Sequence, residues 1–127
     1  MIVIKSREEL DLMRESGSIL AEMLAELASE VRAGIRTSEL NDFVERKMLE
    51  RDVVASFKGY GGFPASVCVS VNEEVVHGIP GERVLKYGDI VSLDLGVYHR
   101  GFHSDAAVTV AVGRVSDTAE HLIDTTR

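Results

Sequence analysis

Two neighbouring β-type segments, each with a carboxylate near its middle, constrain this chain most strongly. Asp89–Val97 and Phe102–Val112 are rich in branched apolar residues and are separated by a short polar stretch, which indicates a β-hairpin. Asp94 lies in the first segment and Asp105 in the second. Aspartate is a poor strand former, so its presence in the middle of both strands calls for a chemical reason.

The hairpin geometry suggests what that reason is. A turn centred on His99–Arg100 pairs Asp94 directly with Asp105, which would place their β-carbons roughly 4.5–5.5 Å apart. Two carboxylates at that distance need a shared proton or a cation. Carboxylate oxygens are ligands that hard divalent ions prefer, so the pattern favours a metal site. The alternative is that one of the two lies outside the strand core and is solvated.

The first part of the chain has helical periodicity. Met1–Lys5 alternates weakly and predicts a short strand, and Ser6 followed by Glu9 is typical of a capping box. Apolar residues then recur at helical spacing and predict a helix over residues 7–32. Thr37 is predicted to cap a second helix, whose apolar stripe runs to about residue 49.

The second part has β character and loops. The sequence predicts a short strand, a glycine-rich loop, a half-buried strand, a long loop and, after the hairpin, a final helix. Their ranges are Val53–Phe57, Lys58–Pro64, Ser66–Val71, Asn72–Lys86 and Thr118–Arg127. No repeat or interdomain linker interrupts this order, so residues 1–127 are predicted to form a single unit.

Charge and cysteine content exclude several classes of partner. Lys and Arg total 14 against 21 Asp and Glu, a net charge of −7, and no basic stripe is present. We therefore expect neither a nucleic-acid partner nor an anionic membrane surface. Cys68 is the only cysteine, which excludes an intrachain disulfide and a cysteine-rich zinc site. Because the chain also starts without an apolar signal segment, we expect a reducing, cytoplasmic location.

Three longer motifs carry a resemblance to a known family. The runs FKGYGGFPASVCVSVNEEVVHGIP, LKYGDIVSLDLG and GFHSDAAVTVAVG occur in this order and resemble type I (bacterial-type) methionine aminopeptidases. The resemblance implies an α/β (α+β) class: half of a pita-bread aminopeptidase fold, with an antiparallel sheet covered by two long helices. Residues 1–127 would be the single N-terminal half-domain of the catalytic fold. Xaa-Pro peptidases share this fold and a similar Asp pair, but the first motif fits methionine aminopeptidases better.

The resemblance also implies roles for individual residues. Asp94 would chelate one divalent ion and Asp105 would bridge two, with two ions of the Co, Mn, Fe or Zn class per complete site. His77 matches the catalytic family histidine that contacts the substrate near the scissile bond. The family reaction removes the initiator methionine from the N-terminus of a nascent polypeptide, using water activated by the metal ions.

The resemblance assigns a second set of residues to the pocket for the methionine side chain. Tyr60, Phe63 and Cys68 would line it, with Phe57 at its edge. From alternation alone, Cys68 is either a core thiol or a pocket wall. His99 and His103 flank the hairpin turn and are expected in solvent, and His103 matches no family role. His121 is expected on the surface of the last helix.

The resemblance covers only the N-terminal half of the family's catalytic sequence. The remaining family ligands, a histidine and two glutamates, belong to the C-terminal half, so we expect weak metal binding and little turnover by this chain alone. Three alternatives remain open from the sequence: half of an active enzyme that pairs with a complementing C-terminal half, a half-fold homodimer, or a non-catalytic module that binds peptides or a partner. We also expect the inner face of the sheet to be apolar and to need cover.

Overall fold

A computed structural model describes all 127 residues as three α-helices and four β-strands. A single 3₁₀ turn, Tyr60–Gly62, follows the first strand. The helices are α1 (Arg7–Glu30), α2 (Thr37–Glu50) and α3 (Asp117–Thr126), and the strands are β1 (Val54–Ala55), β2 (Val67–Val71), β3 (Ile90–His99) and β4 (Phe102–Ala111). None of the three helices combines the length and the apolar character that a membrane-spanning helix requires.

Each long helix begins with two hydrogen bonds between its N-cap residue and the residue three positions later. At α1 the backbone N–H of Glu9 donates to Ser6 Oγ at 3.2 Å, and that of Ser6 donates to the Glu9 carboxylate at 2.7 Å, which confirms the capping box. The predicted cap of α2 was wrong by one residue, because Arg36 occupies the N-cap and Thr37 begins the helix. The Thr37 hydroxyl bonds to the backbone of Gly81 instead.

Replacing Ser6 by Ala is expected to lower the free energy of unfolding by about 1 kcal/mol, because the first turn of α1 loses its side-chain acceptor. Ser18→Ala is the control, since Ser18 is exposed in the middle of the same helix, where alanine is the better helix former. Urea denaturation of the three proteins measures the difference. Equal stabilities of Ser6→Ala and the wild type would contradict the assigned cap.

Strand β3 is the centre of an antiparallel sheet. Its whole length pairs with β4 along one edge. The opposite edge is shared, because β2 pairs with residues 91–95 and β1 pairs with residues 97 and 98. Gly96 is the one position of β3 between these two partners.

The predicted register of the hairpin was wrong by two residues. The turn residues are Arg100 and Gly101, with φ of 48° and 94°, rather than His99 and Arg100. Two positive φ angles are typical of the two-residue turns that match strand twist, and glycine adopts them without steric cost. Asp94 therefore pairs with Ala107, and Asp105 pairs with Gly96. A shift of two keeps both carboxylates on the same face, because side chains alternate with period two.

The core lies between the other face of the sheet and the two long helices. Helix α1 packs on β3 and β4, and α2 packs beside it on β1 and β2. Alternate side chains of β3 point towards the helices and are almost completely buried, whereas Val108 and Val110 of β4 pack against the core and are only partly buried. The fully buried residues of this core with the largest side chains are Met23, Leu27, Leu40, Leu85, Leu93, Leu95, Val44, Val67, Val69, Val71, Val91 and Val97. This core fixes which face of β3 is left for the site.

Three further predictions, on the existence, the length and the burial of strands, differ from the structure. Met1–Lys5 forms no strand, and its apolar side chains are exposed. The strand predicted over Val53–Phe57 is reduced to Val54–Ala55, because the following residues leave the sheet for the site face. Strand β2 is buried at all five positions rather than half-buried, since the loop after it covers its second face.

Candidate active site

Asp94 and Asp105 lie diagonally across the β3–β4 ladder on the face away from the helices. Both line one open cavity of about 530 Å³. Burial raises the pKa of Asp94, and the charge of Asp105 together with a hydrogen bond shared with it raises it further, while His77 acts in the opposite sense. Asp94 is therefore held in an environment that disfavours its ionised form, and a cation would relieve this.

His77 stands in the loop after β2, in a backbone conformation rare for residues other than glycine, with φ of 57°. The next residue fixes the loop on the strand. Gly78 N–H donates to Ser70 Oγ at 3.0 Å, and Gly78 C=O accepts from Val69 N–H at 2.9 Å. The two hydrogen bonds of the Gly78 backbone thus hold the exposed imidazole beside Asp94, where both residues line the same cavity.

The aromatic residues predicted for a side-chain pocket surround the same cavity. Phe57 and Phe63 are half-buried, and Tyr60 is exposed at the rim in the short 3₁₀ turn. All seven predicted site residues therefore lie around one cavity, although their chemical roles stay predictions. The full lining is Phe57, Tyr60, Gly61, Gly62, Phe63, Pro64, Cys68, His77, Ile79, Asp94 and Asp105.

Cys68 is a wall of the cavity rather than part of the helix-facing core. It pairs with Asp94 in the β2–β3 ladder, and its side chain is 4% exposed. Burial raises the pKa of the thiol to about 11, with smaller contributions from the charges of Asp94 and Asp105. The thiol is consequently protonated at neutral pH, which suits a pocket wall and not a thiolate ligand.

A second cavity of about 490 Å³ adjoins the first, and His77 and Asp94 line both. Hydroxyl groups contribute much of its wall, including Ser92 and Thr109, whose oxygens are 2.7 Å apart. Helix α3 closes one side through Ile123. The expectation of an apolar inner face was wrong here, since alternate residues of the strands place hydroxyls and carboxylates on it. Ser92 lies two residues before Asp94, so the period-two alternation of a strand is enough to place both side chains on this face from the sequence.

Gly96 allows the chain to cross close above the site face. A β-carbon there would lie 2.8 Å from both Phe57 Cε1 and Ser56 Cβ. The backbone N–H of Ser56 donates to Gly96 C=O at 3.0 Å. The segment after β1 thus lies directly on β3, next to the position that pairs with Asp105.

We expect Gly96→Ala to reduce the free energy of unfolding by about 1–3 kcal/mol, because the added methyl group overpacks this contact. Gly17→Ala is the matched control: no atom lies within 4 Å of the position where a β-carbon would be, and alanine favours the helix. Thermal unfolding of the two variants tests the difference. A Gly96→Ala protein as stable as Gly17→Ala would contradict the close crossing.

The other histidines take different positions. The expectation that His99 is solvated was wrong: its side chain is 14% exposed, and Nε2 lies 3.2 Å from Glu15 Oε1, at an angle outside hydrogen-bond geometry. His103 is exposed and bonds to Ser56, a contact that the sequence did not indicate. His121 is exposed on α3, as expected. No three His, Cys, Asp or Glu side chains are grouped so as to hold an ion.

Comparison with known proteins decides the family. A model of metallopeptidase family M24 matches residues 11–127. The chain belongs to this family. Among M24 relatives, it is 53% identical over 123 residues to a methionine aminopeptidase of Clostridium perfringens, covering 97% of this chain and 49% of that protein. It is 49% identical over 126 residues to methionine aminopeptidase 1 of Bacillus subtilis, covering 99% and 51%.

The solved structures agree with the fold. The methionine aminopeptidase of Thermotoga maritima superposes with a TM-score of 0.96 at 40% identity, covering 100% of this chain and 51% of that one. This confirms the predicted pita-bread α/β class, with an antiparallel sheet and two long helices. The M24 chain spans about half the length of the relatives that it matches.

Proposed function

We propose that this chain supplies one half of a methionine aminopeptidase site, which removes the initiator methionine from the N-terminus of nascent polypeptides. One observation carries the proposal: a single cavity combines two carboxylates, a histidine and an aromatic wall. Membership of a metallopeptidase family supports this chemistry. The single buried thiol fits a reducing compartment, and we propose the cytoplasm.

The carboxylate pair fits the divalent ions that the family implies. Asp94 and Asp105 offer only oxygen donors, on one face of one hairpin. Burial and the charge of Asp105 raise the pKa of Asp94, so a bound cation would favour its ionised form. We propose that these two residues hold the ions. When bound, such ions lower the pKa of water and polarise a carbonyl group. Two carboxylates leave most coordination positions to other ligands, so binding by this chain is expected to be weak.

The remaining residues bind and orient the substrate in this proposal. The rings of Phe57 and Phe63 offer polarisable apolar surface to an unbranched thioether, and the neutral Cys68 thiol closes the end of the pocket. His77 stands where its imidazole can donate a hydrogen bond to the reacting amide and stabilise developing charge. The positive φ of His77 fits such a functional constraint.

A complementation assay tests the proposed activity. The chain is incubated with Mn²⁺ and a Met-Ala-Ser peptide, first alone and then with the half of the Clostridium perfringens relative that it does not match. We expect methionine release well above background only in the mixture, and none from Leu-Ala-Ser. Release by the chain alone, together with a dimeric mass, would favour the homodimer. A mixture that associates without releasing methionine would contradict the proposal.

A further inference from the structure

His103 contacts the segment that forms the aromatic wall, although no family match gives it a role. It lies on β4 two residues before Asp105, so the two side chains share the site face. Its Nδ1 is 2.9 Å from Ser56 Oγ, and either atom can be the donor. His103 therefore joins the segment after β1 to a strand with which β1 does not pair.

The imidazole is fixed from a second side. Tyr98 is the ladder partner of His103, and their rings are 4.6 Å apart at an angle of 43°. Tilted aromatic pairs at this separation are favourable. The ring thus has a defined orientation although it is exposed, and Nδ1 remains directed at Ser56.

Ser56 connects His103 to the wall of the pocket. Its backbone N–H donates to Gly96 C=O, and its neighbour Phe57 packs over Gly96 as part of the cavity wall. The side chain of Ser56 bonds only to His103. Ser56 is accordingly held at both its backbone and its side chain, and Phe57 follows directly from it.

We infer that His103 is a positioning residue, which holds the Ser56–Phe57 segment on the site face and thereby sets the aromatic wall of the pocket. The inference deepens the proposed function and rests on it only for the identity of the side chain that the pocket takes. The bond is solvent-exposed, so its net contribution corresponds to about a fivefold change in local opening.

Amide hydrogen exchange of the full chain tests the inference. In His103→Ala, the Ser56 and Tyr60 amides, which donate to Gly96 and Phe57 carbonyls, should exchange about fivefold faster, while β2–β3 core amides stay unchanged. His103→Asn places a polar atom near the position of Nδ1 and should restore slow exchange, whereas His103→Gln should not. Adding Ser56→Ala to His103→Ala should cause no further change, because both remove one bond.

A second readout separates the inference from the proposed function. The ring resonances of Phe57 are recorded in the wild type and in His103→Ala, with and without L-methionine as the probe. Changed Phe57 resonances without any response to methionine support the positioning role and count against the methionine pocket. Unchanged exchange and unchanged Phe57 resonances in His103→Ala would overturn the inference, whether or not methionine binds.

Discussion

The Asp94→Asn variant is expected to lose more than about tenfold in Mn²⁺ affinity, because an amide oxygen replaces one of only two carboxylates on this face. Calorimetric titration measures the affinity, as does the decrease of the electron paramagnetic resonance signal of free Mn²⁺ on binding. Asp42→Asn removes the same charge from an exposed position of α2 and is the control for long-range electrostatics. Equal Mn²⁺ affinities of Asp94→Asn and Asp42→Asn would contradict the proposed metal site.

In the metal-free protein, the stability difference between the wild type and Asp94→Asn is expected to depend on pH. The pKa of Asp94 is raised, so its contribution to stability is present below the ordinary value of 3.8 and is lost as the pH rises through the folded-state pKa. Asn does not titrate. The unfolding free energies of the wild type and Asp94→Asn should therefore be closest near pH 4, and the variant should become the more stable of the two towards pH 7. Excess Mn²⁺ should stabilise the wild type and so reduce this difference in the free energy of unfolding.

Gly78→Ala is expected to destabilise the chain by about 3 kcal/mol, because its β-carbon would lie 2.1 Å from the carbonyl oxygen of Val69. The atom in the way belongs to the backbone of a paired strand, which cannot move aside as the end of a flexible side chain can. The loop must then leave β2 and give up both hydrogen bonds that anchor it, and His77 moves with it.

The control for this variant is Gly81→Ala, three residues later in the same loop, where the nearest atom would be 3.9 Å away. It should change stability by less than about 1 kcal/mol. Urea denaturation gives the free energies, and exchange of the Val69 amide reports whether the loop has left the strand. Slow Val69 exchange with unchanged stability in Gly78→Ala would show that the loop does not approach β2 as described.

Much of the fold follows from local patterns in the sequence. The capping box at Ser6 and Glu9, the helical stripe of α1 and the two hairpin strands each depend on residues close in the chain, and all were predicted within a few residues. Alternation also placed Asp94 and Ser92 on one face before any pairing was known. Such features are local, so short windows of sequence contain them.

Most of the errors concern interactions between distant segments. The turn is a local exception, because its position depended on recognising that Gly101, and not Arg100, takes the second left-handed position. The burial of β2 on both faces depended on the Gly78 loop, and the role of the Thr37 hydroxyl depended on Gly81. The bond between Ser56 and His103 joins residues 47 positions apart. Nothing in a short window indicates these contacts.

The shared edge of β3 has a further consequence. Since β1 pairs as far as residue 97 and the pairing of β2 starts at residue 95, this edge has a seam at Gly96, and residues 56 and 57 lie over it on the site face. Residues 56–66 leave the sheet at this seam and return to it at β2. The segment that carries the aromatic wall is therefore an addition at one edge, and it does not interrupt the pairing of β3 with β4.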